Sequence, residues 1–137
     1  MVIGDAMVFE TETDAFNAHD LDALGRLLAE DVVFCAPGGI EGEGRTACVE
    51  FYRRWLKEFP DAHLEVDTTQ IVDDIAIEQG TFIGTYDGVA RTGRSVAVDY
   101  VRVLRVRDGE FVSVRLMFDR LLMLEQLGLV PDAECGP

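Results

Sequence analysis

The chain has 137 residues, 48% of them hydrophobic, with 13 Gly and only 4 Pro, which argues for one folded domain spanning 1–137 with a sizeable core and against disorder. A formal net charge of −14 excludes the clustered Lys and Arg of a phosphate-binding surface, so neither nucleic acid nor an anionic membrane is an expected partner. The apolar runs fall far short of a bilayer span, and no basic region followed by an apolar block marks a secretory leader. Cys35, Cys48 and Cys135 are odd in number and lack metal spacing, so they read as reduced thiols of a cytoplasmic protein.

Residues 5–18 have helical periodicity, with Val8, Phe9, Ala15 and Phe16 on one face. Glu12 lies on that same face. The simpler reading puts it at the edge of the stripe, in a solvated acidic face with Glu10 and Asp14; the alternative is a pocket acid lying over a sheet. Asp20 is placed to cap a short helix, Leu21 to Leu28. Asp31 to Ala36 is a first strand, stopped by Pro37-Gly38-Gly39. Thr46 to Phe59 is a third helix with Cys48, Phe51, Tyr52, Trp55 and Phe59 on one face, ended by Pro60-Asp61.

From here the pattern turns to β. His63 to Val72, Ile75 to Tyr86, Ser95 to Val106 and Glu110 to Phe118 alternate or run apolar, with tight turns at Asp73-Asp74 and Arg107-Asp108-Gly109 and a longer loop from Asp87 to Arg94. A last helix runs from Arg120 to Leu127 and stops at Gly128. Helices followed by four consecutive antiparallel strands predict an α+β layout.

Period-two alternation puts Asp119 on one face with Met117, Arg115 and Ser113, and Asp99 on one face with Ala97, Val101 and Val103. A hairpin centred on Asp108-Gly109 pairs Asp99 with Phe118 or Asp119. In the second register the two carboxylates are cross-strand neighbours, and two close acids in a poorly hydrated site divide into an acid and a base. The bland alternative has Asp99 in solvent and Asp119 capping the last helix. Arg115 would either depress the pKa of Asp119 or bind a substrate carboxylate or enolate oxygen, or else sit in a salt bridge at a pocket rim. Phe9, Phe16, Phe34, Phe51, Tyr52, Trp55, Phe82 and Tyr86 are expected to divide between plain core and the lining of an apolar pocket. His19 and His63 have no metal-ligand partner at useful spacing, and no phosphate loop or Ser/Cys–His arrangement is present, so neither a metal nor a cofactor is expected.

An ordered series of short motifs runs through the chain: Asn17-Ala18-His19-Asp20-Leu21-Asp22-Ala23-Leu24, Asp31-Val32-Val33-Phe34, Pro37-Gly38-Gly39, Glu41-Gly42, Phe59-Pro60-Asp61, Gly84-Thr85, Thr92-Gly93-Arg94, Arg107-Asp108-Gly109, then Asp119 and Gln126-Leu127-Gly128. This series resembles the SnoaL-like polyketide cyclase family, within the nuclear-transport-factor-2-like superfamily. The resemblance implies a cone-shaped α+β barrel, a curved and mainly antiparallel sheet wrapped around N-terminal helices with one deep apolar pocket. It places Asp119 where the family's cyclases carry their acid/base aspartate. Strands such as Ser95 to Val106 and Glu110 to Phe118 carry apolar residues on both faces, which predicts a homodimer packed through the outer face of the sheet, and the resemblance points the same way. At Val114-Arg115 the chain departs from the His-Trp often found in the family.

Three functional expectations follow. The first is a cofactor-free enzyme closing a ring of a hydrophobic small molecule by intramolecular aldol attack, with Asp119 and Asp99 as the acid/base pair and Glu12, Phe16, Phe34, Trp55, Phe82, Tyr86, Arg115 and Met117 binding substrate. The second is an epoxide hydrolase resembling limonene-epoxide hydrolase, whose chemistry needs two carboxylates bridged by an Arg. The third is a non-catalytic ligand-binding or dimerisation module. Ketosteroid isomerase is disfavoured, because Ala36 stands where its essential acid precedes the proline of the first strand.

Overall fold

The computed structural model describes residues 3–88 and 93–130; Thr92 and Cys135 lie outside them. Helices α1 (Ile3–Asn17) and α2 (Leu21–Leu27) come first. Strands β1 (Leu28–Ala36) and β2 (Ile40–Glu43) follow, then helix α3 (Arg45–Glu58). Strands β3 (His63–Val72), β4 (Ile75–Thr85), β5 (Ser95–Arg107) and β6 (Glu110–Phe118) lead to helix α4 (Arg120–Leu127).

Local chemistry sets several of these boundaries. The Asp20 carboxylate accepts from Ala23 N at 3.0 Å and caps α2. Asp119 does the same for α4, accepting from Leu122 N at 3.0 Å, and Gly128 closes that helix in the left-handed region. Asp108 and Gly109 both take positive φ, the backbone of a tight hairpin turn whose twist matches the strands it joins. His19 holds the carbonyl of Ala62 at 2.7 Å, and the Asn17 amide exchanges hydrogen bonds with the backbone of Leu64, so the end of α1 is stitched to the start of β3.

The six strands form one sheet in the order β2-β1-β6-β5-β4-β3. The sheet is mainly antiparallel, as the sequence predicts: β1 pairs parallel with β6, and every other neighbouring pair is antiparallel. Strand β2 was not foreseen; four residues after the Gly38-Gly39 turn are too few to show a period. The chain leaves β1, builds the rest of the fold, and returns β6 beside it.

Strand parity decides what faces the helices. On β5 the inward residues are Val96, Val98, Tyr100, Arg102, Leu104 and Val106, all buried. Opposite them on β4 lie Ala76, Glu78 and Phe82. On β6 the parity changes part-way. The register shifts by one residue between Val106↔Phe111 and Arg105↔Ser113, leaving Val112 as the extra residue of a bulge. Phe111 is buried before the bulge and Val114 after it, so Val114, Leu116 and Phe118 face inward and Arg115 and Met117 outward. Among the described residues no helix is long and apolar enough to cross a membrane.

Candidate active site

The helices close the concave face of the sheet with aromatic side chains. Trp55 of α3 contacts Phe51, Phe59, Phe82 and Phe118 with ring centroids 5.3–6.3 Å apart, most of them edge-on. Behind these rings lies a cavity of about 40 Å³ with an almost entirely apolar wall. It is bounded by Phe16, Phe51, Tyr52, Trp55, Leu64, Phe82, Val114, Leu116, Phe118 and Met123, and at one end by Tyr100 and Arg102. A second cavity of about 190 Å³, between α3, α4 and the Pro37 turn, shares Phe51, Trp55, Phe118 and Met123 with the first. The arrangement is an outer vestibule and an inner chamber separated by four side chains. The chamber as it stands has room for roughly three water molecules. A drug-sized ligand needs about 300 Å³ or more, so one reaches the inner end only if this partition moves. The deep, roomy pocket expected from the sequence is thus a narrow one.

Behind Tyr100 and Arg102 at one end of the chamber lies a buried ionic cluster. Arg102 Nε donates to Glu78 Oε2 at 2.8 Å, and Nη1 donates to Glu12 Oε1 and Oε2 at 3.0 and 2.8 Å. Nη2 donates to Thr13 Oγ1 at 3.2 Å, and Thr13 in turn donates to Glu78 Oε1 at 2.8 Å. Tyr100 Oη donates to Glu78 Oε2 at 2.8 Å. Gly80 makes this last contact feasible: a Cβ there would lie 3.0 Å from the Tyr100 hydroxyl and 2.3 Å from the Glu65 carbonyl. On its far side the cluster meets a third cavity of about 430 Å³ beside α1, walled in part by Glu10, Thr13, Asp14 and Glu78.

The environments push the two carboxyls apart. Burial raises the pKa of Glu12, and the Arg102 charge offsets this only in part. Burial acts in the same sense on Glu78, but there the Arg102 charge and the hydrogen bonds from Arg102, Thr13 and Tyr100 outweigh it and hold the carboxyl below its usual range. Burial alone would weaken the charge on Arg102; the two carboxylates outweigh that and keep it a cation. A carboxyl that favours its proton beside one that favours its charge is the division of labour that acid/base chemistry uses. Tyr52, 4% exposed, completes the site, and its hydroxyl is fully buried with no hydrogen-bond partner among the described residues.

A sequence profile of the SnoaL-like domain matches residues 10–114, which contain all of this cluster and most of the chamber wall. The chain belongs to the SnoaL-like family. Solved structures show the same architecture. AclR of Streptomyces galilaeus, proposed to be a hydroxylase, superposes with a TM-score of 0.80 at 25% identity over 94% of this chain and 83% of its own. A proposed SnoaL-like polyketide cyclase of Jannaschia sp. CCS1 gives 0.84 at 18% identity, covering 93% of this chain and 94% of that one. IdmH of Streptomyces antibioticus, a proposed polyketide cyclase, gives 0.77 at 28% identity, covering 90% and 98%. No curated protein matches the chain.

In this SnoaL-like protein the expected acid pair does not form in the chamber. Asp119 is exposed, its carboxylate engaged as the cap of α4, and Asp99 is exposed on the outer face, where it accepts from Thr81 Oγ1 at 3.2 Å. Arg115 and Met117 share that outer face, Met117 at 46% exposure. The Val112 bulge shifts the pairing by one residue, so Phe118 lies opposite Tyr100 rather than Asp99, the second of the two registers the turn allowed; the face that Asp99, Arg115 and Met117 share is the outer one. The hydrophobic expectations fare differently. Phe16, Trp55 and Phe82 line the chamber and Tyr86 lines the vestibule, while Phe34 packs on Phe51 in the core. Glu12 is fully buried in the ion cluster rather than at a solvated edge.

Sequence reasoning missed Glu78, Tyr100 and Arg102. The signal was present. Val96, Val98, Leu104 and Val106 define an apolar parity on β5, and Arg102 interrupts it; Ala76 and Phe82 do the same on β4, with Glu78 between them. Two opposite charges on the apolar faces of adjacent strands, facing a lone Glu on an apolar helix stripe, describe a buried network.

Proposed function

We propose that this SnoaL-like protein is a small-molecule enzyme of the polyketide-cyclase type, carrying out acid/base chemistry on a hydrophobic carbonyl compound. The single observation that carries this reading is the hydrogen-bonded chain Tyr100–Glu78–Arg102–Glu12 ending at the inner wall of an apolar chamber. The reaction is an intramolecular aldol closure. As the C–H bond α to a carbonyl breaks, its proton passes to Tyr100 Oη, and the Tyr100 proton passes to Glu78. The enolate, held in the field of Arg102, attacks a second carbonyl carbon. The resulting alkoxide recovers a proton by the reverse relay, so the site ends as it began. Orientation by the aromatic walls supplies the proximity that a cyclisation requires.

The test is turnover of β-polyketone aromatic substrates by the wild type, Tyr100→Phe and Glu78→Gln, followed by product chromatography. Both variants should lose about a hundredfold or more in kcat, the typical worth of a positioned acid/base group. Undiminished turnover in the folded variants would remove the relay from the mechanism.

A second reading, epoxide hydrolysis, is favoured by one specific arrangement: Arg102 bridges two carboxyls, Glu12 and Glu78. Glu78 would draw a proton from water as that water opens the epoxide, and Glu12 would protonate the epoxide oxygen. Incorporation of ¹⁸O from labelled water into a diol separates this outcome from ring closure, which incorporates none.

A further inference from the structure

The vestibule differs from the chamber in its charges. Its wall is mostly apolar, bordered by Ile40, Phe59, Tyr86, Leu124 and Leu127, but Arg54 of α3 and Arg120 of α4 border it too. Both arginines are exposed, so their guanidinium groups are open to a ligand arriving from solvent. In a chain with 26 acidic and 12 basic residues an arginine has carboxylates to choose from, and Arg45, Arg53, Arg102, Arg105 and Arg107 each pair with one. Arg54 and Arg120 have no such partner among the described residues.

Arg120 is also held in place. A Cβ at Gly38, whose φ is +94°, would lie 2.7 Å from Arg120 Nε and 3.2 Å from its Cδ, so the side chain rests against the turn that follows β1 and a larger residue there would push it away. A guanidinium already restricted in this way gives up less rotamer freedom when it binds. Two other cavities carry the opposite field. Glu10, Asp14 and Glu78 border the one beside α1, and Asp67 and Asp99 border one of about 430 Å³ on the outer face of the sheet, with no Lys or Arg among the described residues of either wall.

The charge balance selects the headgroup. Glu58 borders the same vestibule, so two cations and one carboxylate leave a single surplus positive charge. A monoanion matches that surplus, whereas a dianion exceeds it and meets Glu58 as a like charge. A planar carboxylate also suits the forked donors of a guanidinium. Behind such a headgroup the apolar wall continues through Phe51, Trp55, Phe118 and Met123 to the inner chamber.

We infer that Arg54 and Arg120 bind the carboxylate of an amphiphilic acid at the mouth of the vestibule, and that its apolar body points along the aromatic wall toward the chamber. The inference rests on the pocket reading above and adds to the substrate a charged end that the reaction itself does not require.

Four probes sharing one aromatic body test it: 3-phenylpropionate, 3-phenylpropanamide, 3-phenylpropylamine and 2-phenylethyl phosphate, titrated into the full chain at neutral pH and low salt with Kd read from NMR chemical shifts. Wild type should bind the carboxylate about fivefold more tightly than the amide, the range of an exposed ion pair or two, and the ammonium most weakly. The phosphate should bind no more tightly than the carboxylate. Salt at about 1 M should remove most of the preference, because exposed charges are screened there. Arg54→Gln and Arg120→Gln should each keep the melting temperature and the affinity for the amide while losing most of the preference for the carboxylate. Equal affinity for carboxylate and amide in the wild type overturns the inference while leaving the pocket standing, as does a preference that survives both substitutions. Tighter binding of the phosphate overturns the monoanion assignment. Failure of every probe to bind overturns the pocket reading along with it.

Discussion

Arg102 Nη1 lies 2.8 and 3.0 Å from the two carboxylate oxygens of Glu12, ninety positions earlier in the chain, and this contact fastens α1 to the centre of β5. The same guanidinium holds Glu78 on the adjacent strand. One side chain therefore ties a helix and two strands together at the inner end of the chamber.

Replacing Arg102 with Leu should destabilise the protein by about 3–5 kcal/mol, because it leaves buried carboxyls without compensation. The triple replacement Glu12→Leu, Arg102→Met, Glu78→Leu should recover most of that loss, since an apolar set of similar volume carries no desolvation cost. Urea denaturation of the three proteins checks this; a single variant no less stable than wild type would show that the cluster holds nothing together.

The two carboxyls should act on stability in opposite pH windows. Glu12, raised in the folded state, binds its proton more tightly there than when unfolded. Its contribution is fully present below the unfolded value of about 4.3 and declines as pH rises from there through the folded pKa. Glu78, lowered, contributes above about 4.3 and loses that contribution as pH falls through its folded pKa. Glu12→Gln should therefore flatten the decline on the neutral side, and Glu78→Gln the decline on the acid side. Denaturant midpoints from pH 3 to 8 give both slopes; identical profiles for wild type and Glu12→Gln would contradict the burial argument.

Asp119 should behave as a helix cap. Asp119→Ala should cost about 1 kcal/mol, while Asp119→Asn, which caps equally well, should be close to neutral. Neither should abolish ligand binding in the chamber, because the side chain is exposed at the end of β6. A large loss of turnover in a fully folded Asp119→Asn variant would restore it to the catalytic set.

The outer face of the sheet carries Val101, Val103, Ile77 and Ile83, half-buried, beside Met117 at 46% exposure. An apolar sheet face of this kind calls for cover, and a second copy of the chain through a two-fold axis is the expected one. Sedimentation should give a dimer at micromolar concentration, and Met117→Asp should shift it toward monomer. A wild-type monomer under those conditions would rule out this interface.

Much of the architecture was legible before any coordinates. The cap at Asp20, the turn at Asp108-Gly109, the stop at Gly128 and the strand series after Pro60 all rest on interactions within a few residues, which local sequence states directly; the cap at Asp119 was the alternative set aside for a pocket role. The motif series from Asn17 to Gly128 carried the family. The aromatic wall was partly foreseen, because Phe16, Trp55 and Phe82 sit on apolar faces that have to be buried somewhere. The tertiary structure alone decided which carboxyls share a site. A one-residue bulge at Val112 turned Arg115 and Met117 outward, and no local signal marks a bulge whose purpose is to reset pairing with a neighbouring strand. Glu12, Glu78 and Arg102 are distant in sequence and each looks ordinary alone. They form a site only because packing removes water from all three at once, and in that setting each charge can be tolerated only beside the others.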